Sequence, residues 1–186
     1  MNIQQEVVTL YTIGHSNRSI EEFVEILRHI PINTLVDVRA YPQSQRYPQF
    51  SQESLRQSLG TAGITYHWAG KQLGAMRKPQ RESKHIALKD ENLRAYADYM
   101  QSEVFQKAMV QLIHLASLEN TVILCAEKLP EHCHRSLISD YLLLQGVEVR
   151  HILDEATIVS HQLNPLVRRE SQQLVYDRGA TKSLDL

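Results

Sequence analysis

The chain has 186 residues, 42% of them hydrophobic and 22% charged, with a formal net charge of −1. That is enough for one domain with a real core and too short for two comfortable ones, and it excludes a wholly disordered chain. Near neutrality excludes a global basic field for nucleic acid, and the two cysteines, Cys125 and Cys133, are too few for a disulfide scaffold.

The start over 1–6 is polar and lacks the apolar segment of a secretory leader. The run 7–13 (Val-Val-Thr-Leu-Tyr-Thr-Ile) is β-rich and ends at Gly14, predicting a buried strand followed by a turn through His15, Ser16 and Asn17. Ser19 has the character of an N-cap, with Glu21 and Glu22 in the first turn. Phe23, Ile26, Leu27 and Ile30 then recur at helical spacing until Pro31. A second strand is predicted over 34–38, so that strand, helix and strand form a βαβ unit. A loop over 40–50 carries Pro42, Ser44, Arg46, Tyr47 and Pro48.

Ser51 opens a further helix with Leu55 and Leu59 on one face, closing near Gly60 or Gly63. A third strand is predicted over 64–68. The stretch 69–90 is weakly patterned and basic, holding Lys71, Arg77, Lys78, Arg81, Lys84 and Lys89 against Glu82 and the closing Asp90. Helical spacing resumes over 93–100 and 104–118, followed by a buried strand over 121–125. A helix over 136–145 stops at Gly146, and a last strand covers 147–153. The expected architecture is α/β, a three-layer, mostly parallel sheet with helices on both faces (Rossmann-like). It forms a single domain over 1–186, with a core over 7–153 and a C-terminal extension of undetermined structure over 154–186. No apolar run approaches the roughly 18–20 residues that span a bilayer; the expectation is a cytoplasmic protein with no membrane partner.

Folds of this class place ligands outside the carboxyl ends of the strands, and chemistry concentrates there. Gly14 permits a tight turn, and His15 serves as acid, base or ligand near neutral pH. Asp37 and Arg39 point the same way, because side chains alternate along a strand; they form a structural ion pair or bind a ligand. The segment from Cys125 to Arg135 joins a buried strand to a helix N-terminus, which suits an anion and lowers a cysteine pKa. It supports three readings: a nucleophilic or anion-binding site with Arg135 on the substrate; a Zn or Fe site using Cys125, Cys133 and His134; or packed thiols with Glu127 paired to Arg135.

Several spaced motifs, Thr-Ile-Gly-His-Ser-Asn-Arg (12–18), Leu-Val-Asp-Val-Arg (35–39), the Pro-Gln-Ser-Gln-Arg-Tyr-Pro-Gln-Phe loop (42–50), Leu-Gly-Ala (73–75), Cys-Ala-Glu (125–127) and Cys-His-Arg (133–135), resemble the domain of unknown function 488 family over about residues 9–153. The resemblance implies a compact α/β domain and an unassigned activity. Its motif residues carry over as His15, Ser16, Arg18, Asp37, Arg39, Cys125, Glu127, Cys133, His134 and Arg135. One departure is Ala75, where the family shows glycine, which puts the tightness of that loop in question.

The leading expectation is an enzyme, hydrolase or transferase, acting on a phosphate-bearing or other anionic substrate, including a nucleotide or nucleic acid. Ser16, Arg18, Arg39, Ser44 and Arg135 would bind it. His15 would be the acid or base oriented by Asp37, Cys125 or Cys133 the nucleophile or metal ligand, and Glu127 a second base or a lock on Arg135. The alternatives are a metal-binding or thiol redox protein, and a non-catalytic nucleic-acid binder using the basic 71–89 loop with Tyr66, His67 and Trp68 as stacking groups. Substrate and oligomeric state are not legible in the sequence.

Overall fold

Strand β1 (Thr9–Gly14) starts two residues later than its apolar run because Val7 lies exposed outside the sheet. The structure, a computed structural model, describes residues 7–180; the polar start over 1–6 and the end over 181–186 lie outside the described residues. Helix α1 (Ile20–His29) begins where expected, with the Ser19 hydroxyl accepting the Glu22 N–H at 3.1 Å, and it buries Phe23, Ile26 and Leu27. Strand β2 (Thr34–Asp37), helix α2 (Gln52–Thr61) and strand β3 (Thr65–Trp68) follow. The basic stretch contributes only one turn of helix, α3 (Gly70–Leu73). It is nevertheless tied down: Leu73, His85 and Leu88 are buried, and Arg77 stacks 3.6 Å from the Tyr99 ring centroid. Helices α4 (Glu91–Tyr99) and α5 (Glu103–Leu118) are capped by Asp90 and Ser102. Strand β4 (Thr121–Cys125), helix α6 (Arg135–Leu144) and strand β5 (Glu148–Ile152) complete the expected core. Gly146, at φ +80°, takes the left-handed conformation that ends α6.

The sheet order is β3-β2-β4-β1-β5-β6, with β1 to β5 parallel and β6 (Ile158–Ser160) antiparallel at the edge. Helices cover both faces. One face packs against α1 and α2 through Ile13, Leu35, Val122, Leu124 and Ile152. The other packs against α4, α5 and α6 through Leu10, Val36, Ile123, Cys125 and Val149. The segment after 153 is not an appendage. β6 extends the sheet, and the hairpin β7 (Val167–Glu170) and β8 (Gln173–Tyr176) places Val167, Leu174 and Tyr176 in the second core. Ala75 is not among the residues with positive φ, so the glycine-to-alanine departure carries no backbone strain. No helix among the described residues is long and apolar enough to cross a membrane.

Adjacent strands β1 and β4 exit in opposite directions, β1 to α1 on one face and β4 to α6 on the other. Such a switch point opens a crevice at the strand ends. Here the two exits also touch: a Cβ on Gly14 would lie 1.7 Å from the Glu127 carbonyl oxygen. Gly14 is therefore required by close approach of backbone to backbone.

Candidate functional site

The strand alternation that sets Asp37 and Arg39 on one face also divides the residues expected to share a site. Asp37, Arg39 and His15 lie toward α1 and α2, with His15 stacked on Phe50 at 4.5 Å. Thr12, Cys125 and His151 lie toward α6, where Cys133, His134 and Arg135 meet them. The sheet stands between the two groups.

On the first face, Asp37 is fully buried and engaged. Its carboxylate accepts from Arg39 Nε at 2.9 Å, from Arg39 Nη2 at 2.6 Å, from the Arg39 backbone N–H at 3.1 Å and from the Tyr66 hydroxyl at 2.7 Å. The charged pair is thus satisfied as a buried pair must be. It does not orient His15, contrary to the expected roles. Burial, the Asp37 charge and the bond to Asp37 push the Tyr66 phenol well above its ordinary value. The Tyr66 hydroxyl is thereby tied to Asp37, and the Trp68 indole N–H donates to the Arg39 carbonyl at 3.0 Å while the residue stays 42% exposed.

His15 is oriented by its own neighbour. Its Nδ1 lies 2.8 Å from the Ser16 carbonyl oxygen. A carbonyl only accepts, so Nδ1 carries the proton and Nε2 holds a bare lone pair. Ser16 adopts φ +52° to present that carbonyl, a conformation that non-glycine residues adopt rarely and at a cost. Burial first, then the charge of Arg39, lowers the His15 pKa to about 4 against the opposing bond to Ser16. The ring is neutral at physiological pH. Nε2 bonds to no protein group among the described residues, and it is not sealed from solvent.

His15, Ser16, Arg39, Ser44, Arg46 and Lys128 are among the residues lining a cleft of about 450 Å³ at the switch point. Arg39 directs Nε and Nη2 to Asp37 and Nη1 to the Phe50 carbonyl, and it lines the cleft with its remaining surface. Ser44 accepts the Tyr47 N–H at 2.9 Å and shapes the loop that walls the cleft. Arg18 is different. Its guanidinium donates to the Gly14 and Leu153 carbonyls and pairs with Glu22 at 3.6 Å, so it braces the strand ends rather than meeting a substrate. Glu127 is exposed at the rim, and its backbone carbonyl, not its carboxylate, meets Arg135.

On the second face Arg135 is fully buried. It donates from Nε to Cys133 Sγ at 3.3 Å and from Nη1 to Thr12 Oγ1 at 3.1 Å, while Nη2 reaches the Glu127 and Lys128 carbonyls. It is consequently not the substrate arginine expected from its position. Cys133 precedes α6 by two residues. A hydrogen bond from Cys125 and the Arg135 charge hold its thiol at about 6, against burial. The same hydrogen bond, with burial, drives the Cys125 thiol up. His134 sits with Nδ1 at 3.9 Å from Cys125 Sγ and Nε2 at 3.3 Å from the Val38 carbonyl; burial lowers its pKa to about 4.

A further constellation was not anticipated. Thr12 Oγ1 stands 2.7 Å from His151 Nδ1, His151 Nε2 stands 2.9 Å from His161 Nδ1, and His161 Nε2 stands 2.8 Å from Asp140 Oδ1. Tyr176 donates to the other Asp140 oxygen at 2.8 Å. With neutral imidazoles the carboxylate fixes every proton: each histidine carries hydrogen on Nε2, and Thr12 donates to His151. The sequence signal was Asp140 itself, a charge on the apolar face of α6.

The molecule is thus a three-layer α/β domain with a polar cleft at its switch point and a thiol–imidazole cluster behind the sheet. The profile of the family described as Domain of unknown function DUF488 matches residues 19–142, and the chain belongs to that family. The matched span is narrower than the motifs suggested and leaves out β1 with His15 and Ser16. Neither the curated proteins nor the solved structures contain a match to the chain.

Proposed function

We propose that the chain is an enzyme, a hydrolase or transferase, acting on a phosphate-bearing substrate held in the switch-point cleft. The observation that carries this reading is His15. Its Nδ1–H is tethered to the Ser16 carbonyl, its Nε2 is bare and open to solvent, and the residue lines the cleft. An imidazole fixed in one tautomer by its neighbour is the arrangement of a general base. Nε2 takes the proton of an attacking water or hydroxyl. Arg39, Arg46 and Lys128, which all line the cleft, hold the anion. Because Nε2 must be unprotonated, activity falls as pH drops through about 4, not through 6.5.

The test is a panel of phosphate-bearing metabolites and inorganic phosphate, assayed for binding and turnover with the parent chain and with His15→Gln. The expected result is binding that weakens with salt, retained in His15→Gln, and turnover reduced about 10²–10⁴-fold. Full turnover in His15→Gln, or no phosphate-bearing compound bound, would overturn the reading.

A further inference from the structure

The cluster behind the sheet is independent of the cleft chemistry. Cys125 Sγ, Cys133 Sγ and a ring nitrogen of His134 all lie within 4.8 Å of one another, Nδ1 at 3.9 Å from Cys125 Sγ, and all three residues are buried. We propose that these three atoms bind one thiophilic metal ion with a filled d shell, Zn2+ or Cu+.

Three features of the geometry carry this. The first is spacing. Metal–sulfur and metal–nitrogen bonds of about 2.3 and 2.0 Å set two ligands on one ion roughly 3.5–4 Å apart. The 3.9 Å between Cys125 Sγ and His134 Nδ1 already meets that, and the full set needs at most about 1 Å of closure. The second is the imidazole. Nε2 faces the Val38 carbonyl, which can only accept, so the proton sits there and the Nδ1 lone pair faces the sulfurs. Ligating histidines are oriented in this way by a backbone acceptor on the far nitrogen. The third is charge. Arg135 is fully buried, and its acceptors are the Cys133 sulfur, a hydroxyl and two carbonyls, with no carboxylate among them. Its guanidinium offsets one negative charge at the thiolates.

Two thiolates, Cu+ and Arg135 sum to zero with three protein ligands. With Zn2+ the sum is +1, which calls for an anionic fourth ligand. Fe2+, which favours sites with more ligands and open positions, suits this closed corner less. Neither the cleft lined by His15 nor the one lined by His151 and His161 is lined by any of the three residues. A bound ion would clamp the end of β4 to the start of α6, and with them the loop 126–128 that walls the cleft.

The test uses the full chain, reduced and purified without chelator. Co2+ serves as the optical probe for divalent binding, Zn2+ as its competitor, and Cu+ is titrated anaerobically against a chromogenic chelator. The expected result is one ion per chain, a thiolate-to-cobalt charge-transfer band, and protection of both thiols from alkylation by the bound ion. Cys133→Ser and His134→Gln should each weaken affinity by about 10–100-fold or more. Alkylation protection in the parent chain is a separate reading that does not depend on how either variant folds. A preference for Cu+ supports the neutral three-ligand site, and a preference for Zn2+ supports the site with a fourth ligand. No charge-transfer band together with no Cu+ retention would overturn the proposal. So would unaltered alkylation of both thiols under metal, or undiminished affinity in folded His134→Gln.

Discussion

Gly14→Ala tests the contact between the exits of β1 and β4. The new Cβ would meet the Glu127 oxygen at 1.7 Å, its carbon at 2.5 Å and Lys128 Cα at 3.0 Å, against 3.4 Å for an ordinary contact. All three atoms are backbone, so no side chain can swing aside. The loop 127–128 must retreat by more than an ångström, and the same Glu127 carbonyl accepts from buried Arg135. Overpacking costs about 1–3 kcal/mol, and a charged buried donor losing its acceptor costs about 1.5–3 kcal/mol. Together they predict a loss of about 3–5 kcal/mol and a fall of roughly 10–15 °C in Tm for a domain of this size. Urea unfolding followed by circular dichroism, with a thermal scan, measures both. Gly60→Ala is the matched control: it lies within α2 with nothing inside 4 Å of its Cβ, and it should stabilise by about 0.5–1 kcal/mol. A Gly14→Ala protein within 1 kcal/mol of the parent by the same unfolding assay would refute the close approach.

Acid should unfold the chain early. His15, His134 and His151 are held at about 4, about 4 and about 3, each first by burial. Between those values and 6.5 the unfolded chain binds protons that the folded chain does not, so stability is whole above pH 6.5 and declines toward pH 4. Each histidine contributes a slope of up to about 1.4 kcal/mol per pH unit; urea midpoints unchanged from pH 7.5 to 5 would contradict this. Asp37→Asn strands the buried Arg39 charge and should cost about 3–5 kcal/mol in the same assay, whereas Tyr66→Phe removes one hydroxyl bond and should cost about 1 kcal/mol. Asp140→Asn disrupts acceptance from His161, the Asn164 N–H and Tyr176, so amide exchange should accelerate over 161–176 before it does in β4. Uniform acceleration across both would contradict a local anchoring role.

The helices and parallel strands were legible because their signals are local: Ser19 as a cap, Leu55 and Leu59 on one face, Gly146 as a stop. The start of α6 was misread by one residue, since the cap geometry at His134 has no sequence signature. The hairpin over 167–176 was missed because its strands are four residues each, and what holds them is burial of Val167, Leu174 and Tyr176 against distant helices. Site positions were legible as strand ends. Their grouping was not, because alternation decides which face each side chain takes, and Cys125 and Asp37 end neighbouring strands on opposite faces. Arg18 and Arg135 show the same limit. An arginine between a strand end and the following helix reads as an anion receptor until its carbonyl acceptors are visible.

The relay from Arg135 through Thr12, His151 and His161 to Asp140 begins and ends on α6. Strands β1 and β5 and the segment after β6 are therefore threaded onto one helix by a closed circuit, with a cation at one pole and a carboxylate at the other. No member can turn over alone. Reversing the Thr12 hydroxyl would set two lone pairs face to face at His151, and the mismatch would pass along to the carboxylate. With both histidines neutral, the sheet centre and the segment leading to the C-terminal hairpin consequently share a single proton ordering.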